Sequence, residues 1–144
     1  MGGSVRTPVH LWAIGILGAA WNGFGSLDYT MTQMRHPAWM SQMTAEQRAF
    51  LDAAPSWLDA SWAMGVWGGL AGSLLLLTRS RFAAPAFMIS LAGLAGNTLS
   101  QLTLSDPSPH LDTGGGIALH IAIWATAIGL LVYSLRMRRR GVLR

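Results

Sequence analysis

Four apolar runs, each close to the ~20 residues that cross a hydrocarbon core, leave this chain few ways to fold. They cover about Pro8 to Tyr29, Trp57 to Thr78, Phe82 to Leu104 and Gly115 to Leu135. Backbone in lipid must satisfy its own hydrogen bonds, so runs of this length fold as helices. The expected fold is all-α: a polytopic membrane protein with a four-helix transmembrane bundle, one domain over residues 1–144. Composition agrees, since 11% of the residues are charged, against about 25% in ordinary soluble domains. Seventeen glycines and seven tryptophans suit spanning helices and their interfaces. Pro8 and Pro85 stand where helices begin, and Asp28 is expected to end the first helix.

The charges orient the runs. Arg6, Arg79, Arg81, Arg136, Arg138, Arg139, Arg140 and Arg144 fall on one side, with no acid among them. The other side takes all six acids (Asp28, Glu46, Asp52, Asp59, Asp106, Asp112) with only Arg35 and Arg48. The arginine-rich side is cytoplasmic, which places both termini there. The net charge of +4 invites a nucleic-acid reading, but five of the ten arginines lie in RMRRRGVLR, directly after an apolar run. That placement is a membrane anchor's, so the expected partner is the bilayer and not nucleic acid. Gly18-Ala19-Ala20 resembles a signal-peptide cleavage site. The apolar run continues through Trp21 and Phe24 to Tyr29, longer than a signal core needs, which favours a retained span.

Between the first two runs, TAEQRAFLDAA carries Thr44 and, three residues on, Gln47, the pattern of a capping box. A short amphipathic helix over about 45–53 is expected there, lying on the membrane surface. DPSPHLDTGGG, between the last two runs, is turn chemistry.

Helices in lipid associate through small residues at helical spacing. Every run carries such a stripe: Gly15, Gly18, Asn22, Gly25; Ser61, Gly65, Gly68, Gly72; Ala86, Ser90, Gly93, Asn97, Ser100; and Ala118, Ala122, Ala125, Gly129. The second also holds overlapping GxxxG pairs, Gly65/Gly69 and Gly68/Gly72. Packing within the chain is the expectation, with homodimerisation the alternative.

Polar groups at membrane depth are costly and mark sites to inspect. They gather toward the outer side: Trp21, Asn22 and Asp28 on the first run, Asp59 on the second, Asn97 and Gln101 on the third, His120 on the fourth. These are the candidate ligand-binding residues. Each also has an architectural reading. Asp28 and Asp59 lie within reach of interfacial water, and Asn22 and Asn97 sit on small-residue stripes as interhelical hydrogen-bond donors. Trp21 shares a face with Gly25 and Asp28 and is the best candidate for lining a site. His120 lies 200° from Ala118 and Ala122, off that stripe. His36, His110 and His120 could meet on the outer side with Asp106 or Asp112, but their spacing matches no metal signature. His10 lies a membrane thickness away from His120. No metal or cofactor is expected. The chain has no cysteine, which removes disulfides and thiol nucleophiles. It shows no phosphate loop, nucleophile elbow, zinc-protease motif or dinucleotide fingerprint, so catalysis is not expected.

PVHLW, WNGFGSLDYTMTQ, WAMGVWGGLAGSLLLL and the terminal GVLR resemble a family of small four-span inner-membrane proteins. These come mainly from alphaproteobacteria and often carry the automatic label "sugar transporter". The resemblance covers most of the chain and is most specific at residues 21–33 and 62–77. It implies an inner-membrane location and a sugar-like solute, with no site residues to carry over. Two functions follow as expectations. One is a non-enzymatic accessory or scaffold that binds a membrane-protein partner. The other is a transporter of a small polar solute, which needs a homo-oligomer because one tight bundle encloses only a narrow path.

Overall fold

The computed structural model describes residues 6–103 and 114–144, which form six α-helices and no strand among them. The helices are α1 (Val9–Gln33), α2 (Pro37–Met40), α3 (Ala45–Ala53), α4 (Ser56–Leu77), α5 (Ala83–Thr103) and α6 (Gly114–Arg139). Two of them, α4 and α6, are long and apolar enough to cross a membrane. At ~1.5 Å per residue α1 and α5 reach about 37 and 31 Å, long enough. Their polar residues make them less apolar than the other two.

The expectation that Asp28 ends the first helix fails, because α1 continues to Gln33. The Asp28 carboxylate accepts a hydrogen bond from the Trp39 indole N–H at 2.8 Å, so α2 folds back onto it. A change from apolar to polar side chains does not interrupt backbone hydrogen bonding, and the helix runs past it. It stops at a Schellman turn in which Arg35 takes φ 50° and the His36 N–H bonds the Met31 carbonyl at 3.0 Å. α4 stops in the same way, with Arg79 at φ 57° and the Ser80 N–H on the Leu75 carbonyl at 2.8 Å. A non-glycine residue in this region costs roughly 1–2 kcal/mol. α3 begins with the full capping box: Gln47 N–H donates to the Thr44 hydroxyl at 3.2 Å, and Thr44 N–H donates to the Gln47 carboxamide oxygen at 2.9 Å.

α4 is the centre of the assembly, packed between α1 and α5. Its small residues divide between those neighbours. A Cβ at Gly69 would strike the Asn22 carboxamide of α1, and a Cβ at Gly18 would lie 3.0 Å from the Ser73 hydroxyl. On the other side, a Cβ at Gly68 would meet the Ser90 backbone nitrogen at 3.0 Å, and one at Gly72 would meet the Phe87 ring at 2.7 Å. The tightest approach is at Gly93 of α5, where a Cβ would sit 2.5 Å from both the Gly65 nitrogen and the Ser61 carbonyl oxygen. Four residues turn a helix through about 40°, so Gly65 and Gly69 straddle the boundary between two partners. The first GxxxG pair is therefore not one contact face.

α6 departs from the expectation drawn from its small-residue stripe. Ala118, Ala125 and Gly129 are exposed, and a Cβ at Gly129 would meet nothing within 4 Å. The helix turns Leu130, Ser134 and Met137 inward instead. Leu130 and Met137 on this inward face join the apolar core at the arginine-rich end, while Ile117, Leu119, Ile121 and Ile128 stay exposed.

The apolar core lies at the arginine-rich end: Leu11, Leu76, Ala83, Phe87, Leu130, Met137, Val142 and Leu143. The last two belong to a tail that reverses at Gly141, whose φ of 71° suits glycine. Val142 N–H bonds the Met137 carbonyl at 3.0 Å, closing a third Schellman turn. Arg144 then clamps the α4–α5 turn through two backbone bonds: its N–H donates to the Arg79 carbonyl, and its carbonyl accepts from the Arg81 N–H, both at 2.8 Å.

Candidate functional site

The seven candidate residues do not form one cluster among the described residues. Asn22, Trp21 and the set Asn97, Gln101 and His120 occupy three separate places, and Asp28 and Asp59 lie apart from all of them.

Asn22 is a hydrogen-bonding joint between α1 and α4. Its amide donates to the Gly18 carbonyl at 2.9 Å and to the Ser73 hydroxyl at 3.3 Å, while Ser73 donates to the Gly69 carbonyl at 2.9 Å. One turn along, Ser26 is buried and donates to the Asn22 and Val66 carbonyls at 2.9 and 3.2 Å. Ser90 does the same for α4 and α5, reaching the Gly65 carbonyl at 2.6 Å. Such bonds are worth ~0.6 kcal/mol each in lipid, and they need the backbone approach that the glycines allow. Ser26 and Ser73 carry no signal in the sequence, where a lone serine in a glycine-rich helix is unremarked.

Trp21 faces another way. With Ile14, Leu17, Gly18, Thr126 and Leu130 it lines an apolar groove of about 390 Å³ between α1 and α6. At 42% exposure it is an open wall, and the rest of the lining is apolar apart from Thr126. Asp28, seven residues on, is bound to Trp39 and does not share this groove. Beside it, Tyr29 and Trp62 meet edge to face at 5.1 Å, tying α1 to α4.

The third group lies between α5 and α6. Gln101 donates to the Asn97 carboxamide oxygen at 3.2 Å, one turn away on the same helix. The Gln101 carboxamide oxygen is buried without a hydrogen-bond partner among the described residues. Thr98 links the helices: it donates to the Leu94 carbonyl at 2.9 Å, accepts from the Trp124 indole at 3.2 Å and touches the His120 Nε2 at 3.5 Å. His120 thus points into the bundle, away from the exposed alanines of α6. Asp59, in the first turn of α4, forms no side-chain hydrogen bond or ion pair among the described residues and stands apart from the other candidates. His10 pairs with the Tyr133 hydroxyl at 2.6 Å, at the arginine-rich end and far from His120.

His110, Asp106 and Asp112 lie outside the described residues. Of the other histidines considered for a metal, His36 packs edge to face on Trp39, and His120 is occupied with Thr98. Among the described residues the candidates thus offer hydrogen bonding at the α1–α4 and α5–α6 contacts and apolar contact at the α1–α6 groove. No protein-family model, curated protein or solved structure matches the chain.

Proposed function

We propose that this is a four-span protein of a bacterial inner membrane that works, without catalysis, as an accessory or scaffold for another membrane component. In this reading α1, α4, α5 and α6 all cross, and the arginine-rich end faces the cytoplasm. One observation carries it: Ala118, Ala125 and Gly129 of the α6 stripe are exposed, and a Cβ at Gly129 would meet nothing within 4 Å among the described residues. Such a stripe is a helix-contact face in lipid. On α1, α4 and α5 the equivalent residues are already engaged. The polar side chains at depth are likewise spent on neighbouring helices, which leaves Asn22, Ser26, Ser73 and Ser90 little to offer a solute.

The test places a photo-reactive benzoylphenylalanine at Ala125 in membranes at native expression. A discrete protein adduct is expected, and Gly129→Leu should abolish it by filling the stripe. Adducts to lipid alone would overturn the proposal. Topology is read separately, because the chain has no cysteine to mask a label. Ser41→Cys should react with an impermeant maleimide in intact cells, and Ser80→Cys only after lysis. The reverse pattern would overturn the orientation.

A second reading, an oligomeric transporter of a small polar solute, is favoured by the Gln101 oxygen beside Asn97, unpartnered among the described residues, and by the Thr98–His120–Trp124 contacts. The family resemblance in residues 21–33 and 62–77 points the same way. Proteoliposomes holding intact oligomers that take up none of a panel of sugars would sink it.

A further inference from the structure

We infer that the α4–α5 turn and the tail clamped to it form a binding site for the phosphate of an anionic phospholipid headgroup. Along the sequence, Arg79 and Arg81 lie far from Arg144, with two whole helices between them. The two backbone bonds from Arg144 to the turn bring all three onto one patch, and their side chains are exposed. Arg79 is anchored from a third segment, donating to the Thr7 hydroxyl at 2.9 Å.

No acidic side chain among the described residues pairs with these arginines. Among the described residues the ion pair is Arg35 with Asp52, at the opposite end. No acid accompanies the eight arginines on their side of the sequence. Helix dipoles do not help either. The C-termini of α4 and α6 and the N-termini of α1 and α5 meet at this end, so their half-charges of opposite sign cancel. Arginine is suited to the task, since its planar fork bonds two phosphate oxygens at once.

The apolar surroundings select a lipid over free phosphate. The Arg81 guanidinium lies 5.1 Å from the centre of the Phe82 ring, and that ring is 57% exposed. Val9, two residues beyond Thr7, is 84% exposed. A headgroup on the arginines would lay its acyl chains against these two side chains, whereas inorganic phosphate would leave them bare. The inference rests on the membrane reading above only for the source of the phosphate.

The experiment follows thermal unfolding of the full chain in neutral detergent while dioleoylphosphatidylglycerol is added to the micelles. A rise in Tm of about 5 °C is expected at saturation. Dioleoylphosphatidylcholine, or sodium phosphate at equal concentration, should give less than a fifth of it. The triple variant Arg79→Gln, Arg81→Gln, Arg144→Gln should lose the shift and weaken apparent affinity about tenfold. Its backbone clamp does not depend on those side chains. The variant Arg136→Gln, Arg138→Gln, Arg139→Gln removes the same charge and should keep most of the shift. An equal shift from phosphatidylcholine, or equal losses in both triple variants, overturns the site. An equal shift from sodium phosphate overturns the lipid as its source. If the first triple variant does not fold, Arg144→Gln alone carries the test at a threefold loss, and no loss overturns it. Micelles have no sidedness, so the titration reads the site whatever the maleimide labelling gives.

Discussion

Gly93→Leu should separate α4 from α5 and unfold much of the protein. A Cβ there already lies 2.5 Å from two backbone atoms of α4, the Gly65 nitrogen and the Ser61 carbonyl oxygen. Ordinary contact begins near 3.4 Å. Backbone cannot rotate aside as a side chain can, so even Gly93→Ala must push the helices apart by most of an ångström. Overpacking of this kind costs about 1–3 kcal/mol, and the move would also stretch the 2.6 Å bond from Ser90 to the Gly65 carbonyl. We expect Gly93→Ala to lose that amount in reversible unfolding from mixed micelles, and Gly93→Leu to lose the cooperative transition. Gly129→Ala is the matched control. Its Cβ would enter open space, and alanine is the better helix former by about 0.5–1 kcal/mol, so stability should hold or rise. A Gly93→Ala variant as stable as the parent would mean that α4 and α5 do not meet there.

Val142→Asp with Leu143→Asp should release the tail and open the arginine-rich end. Both side chains are at most 5% exposed and pack among Leu11, Leu76, Phe87, Leu130 and Met137. Burying an aliphatic side chain of this size contributes roughly 1.5–3 kcal/mol. An unpaired carboxylate in the same place would be costlier than leaving it in water. The clamp from Arg144 to the Arg79 carbonyl and the Arg81 N–H is then lost as well, since the buried Val142 and Leu143 hold Arg144 against the turn. Limited trypsin digestion reads this directly, as cleavage after Arg140 should accelerate at least tenfold while the helical content stays near the parent's. An unchanged cleavage rate would show that the tail is not docked.

Much of the helical layout is legible in the sequence alone. The amphipathic segment from Thr44 follows from a capping box, a local pattern whose two hydrogen bonds are made within four residues. The stripes on α1, α4 and α5 also point to their true contact faces, because backbones approach this closely only where the side chains between them are small. The same signal misleads at α6, where Ala118, Ala125 and Gly129 have the same spacing and face outward. A small residue permits close approach without requiring it.

The candidate site is less legible. Depth along a helix can be counted from sequence, and it groups Trp21, Asn22, Asp28, Asp59, Asn97, Gln101 and His120 on one side. Direction around the helix, relative to neighbours, cannot be counted that way. Trp21 and Asn22 are adjacent in the chain, yet one lines the α1–α6 groove and the other joins Ser73 of α4. Asp28 reads in sequence as an exit to water, and instead it receives Trp39 from a helix too short to foresee.

By itself, then, the sequence determined the helices, the end where positive charge collects and the absence of thiol chemistry. Those properties depend on residues within a turn or two of one another, or on composition alone. The tertiary structure decided which faces meet, how the polar residues divide and where the tail goes. Val142 and Leu143 are two apolar residues after a run of arginines, which reads as a solvated end. They become core only because α1, α4, α5 and α6 leave an apolar opening of the right size beneath them. Such a fit involves segments more than 60 residues apart and exists only once all of them are in place.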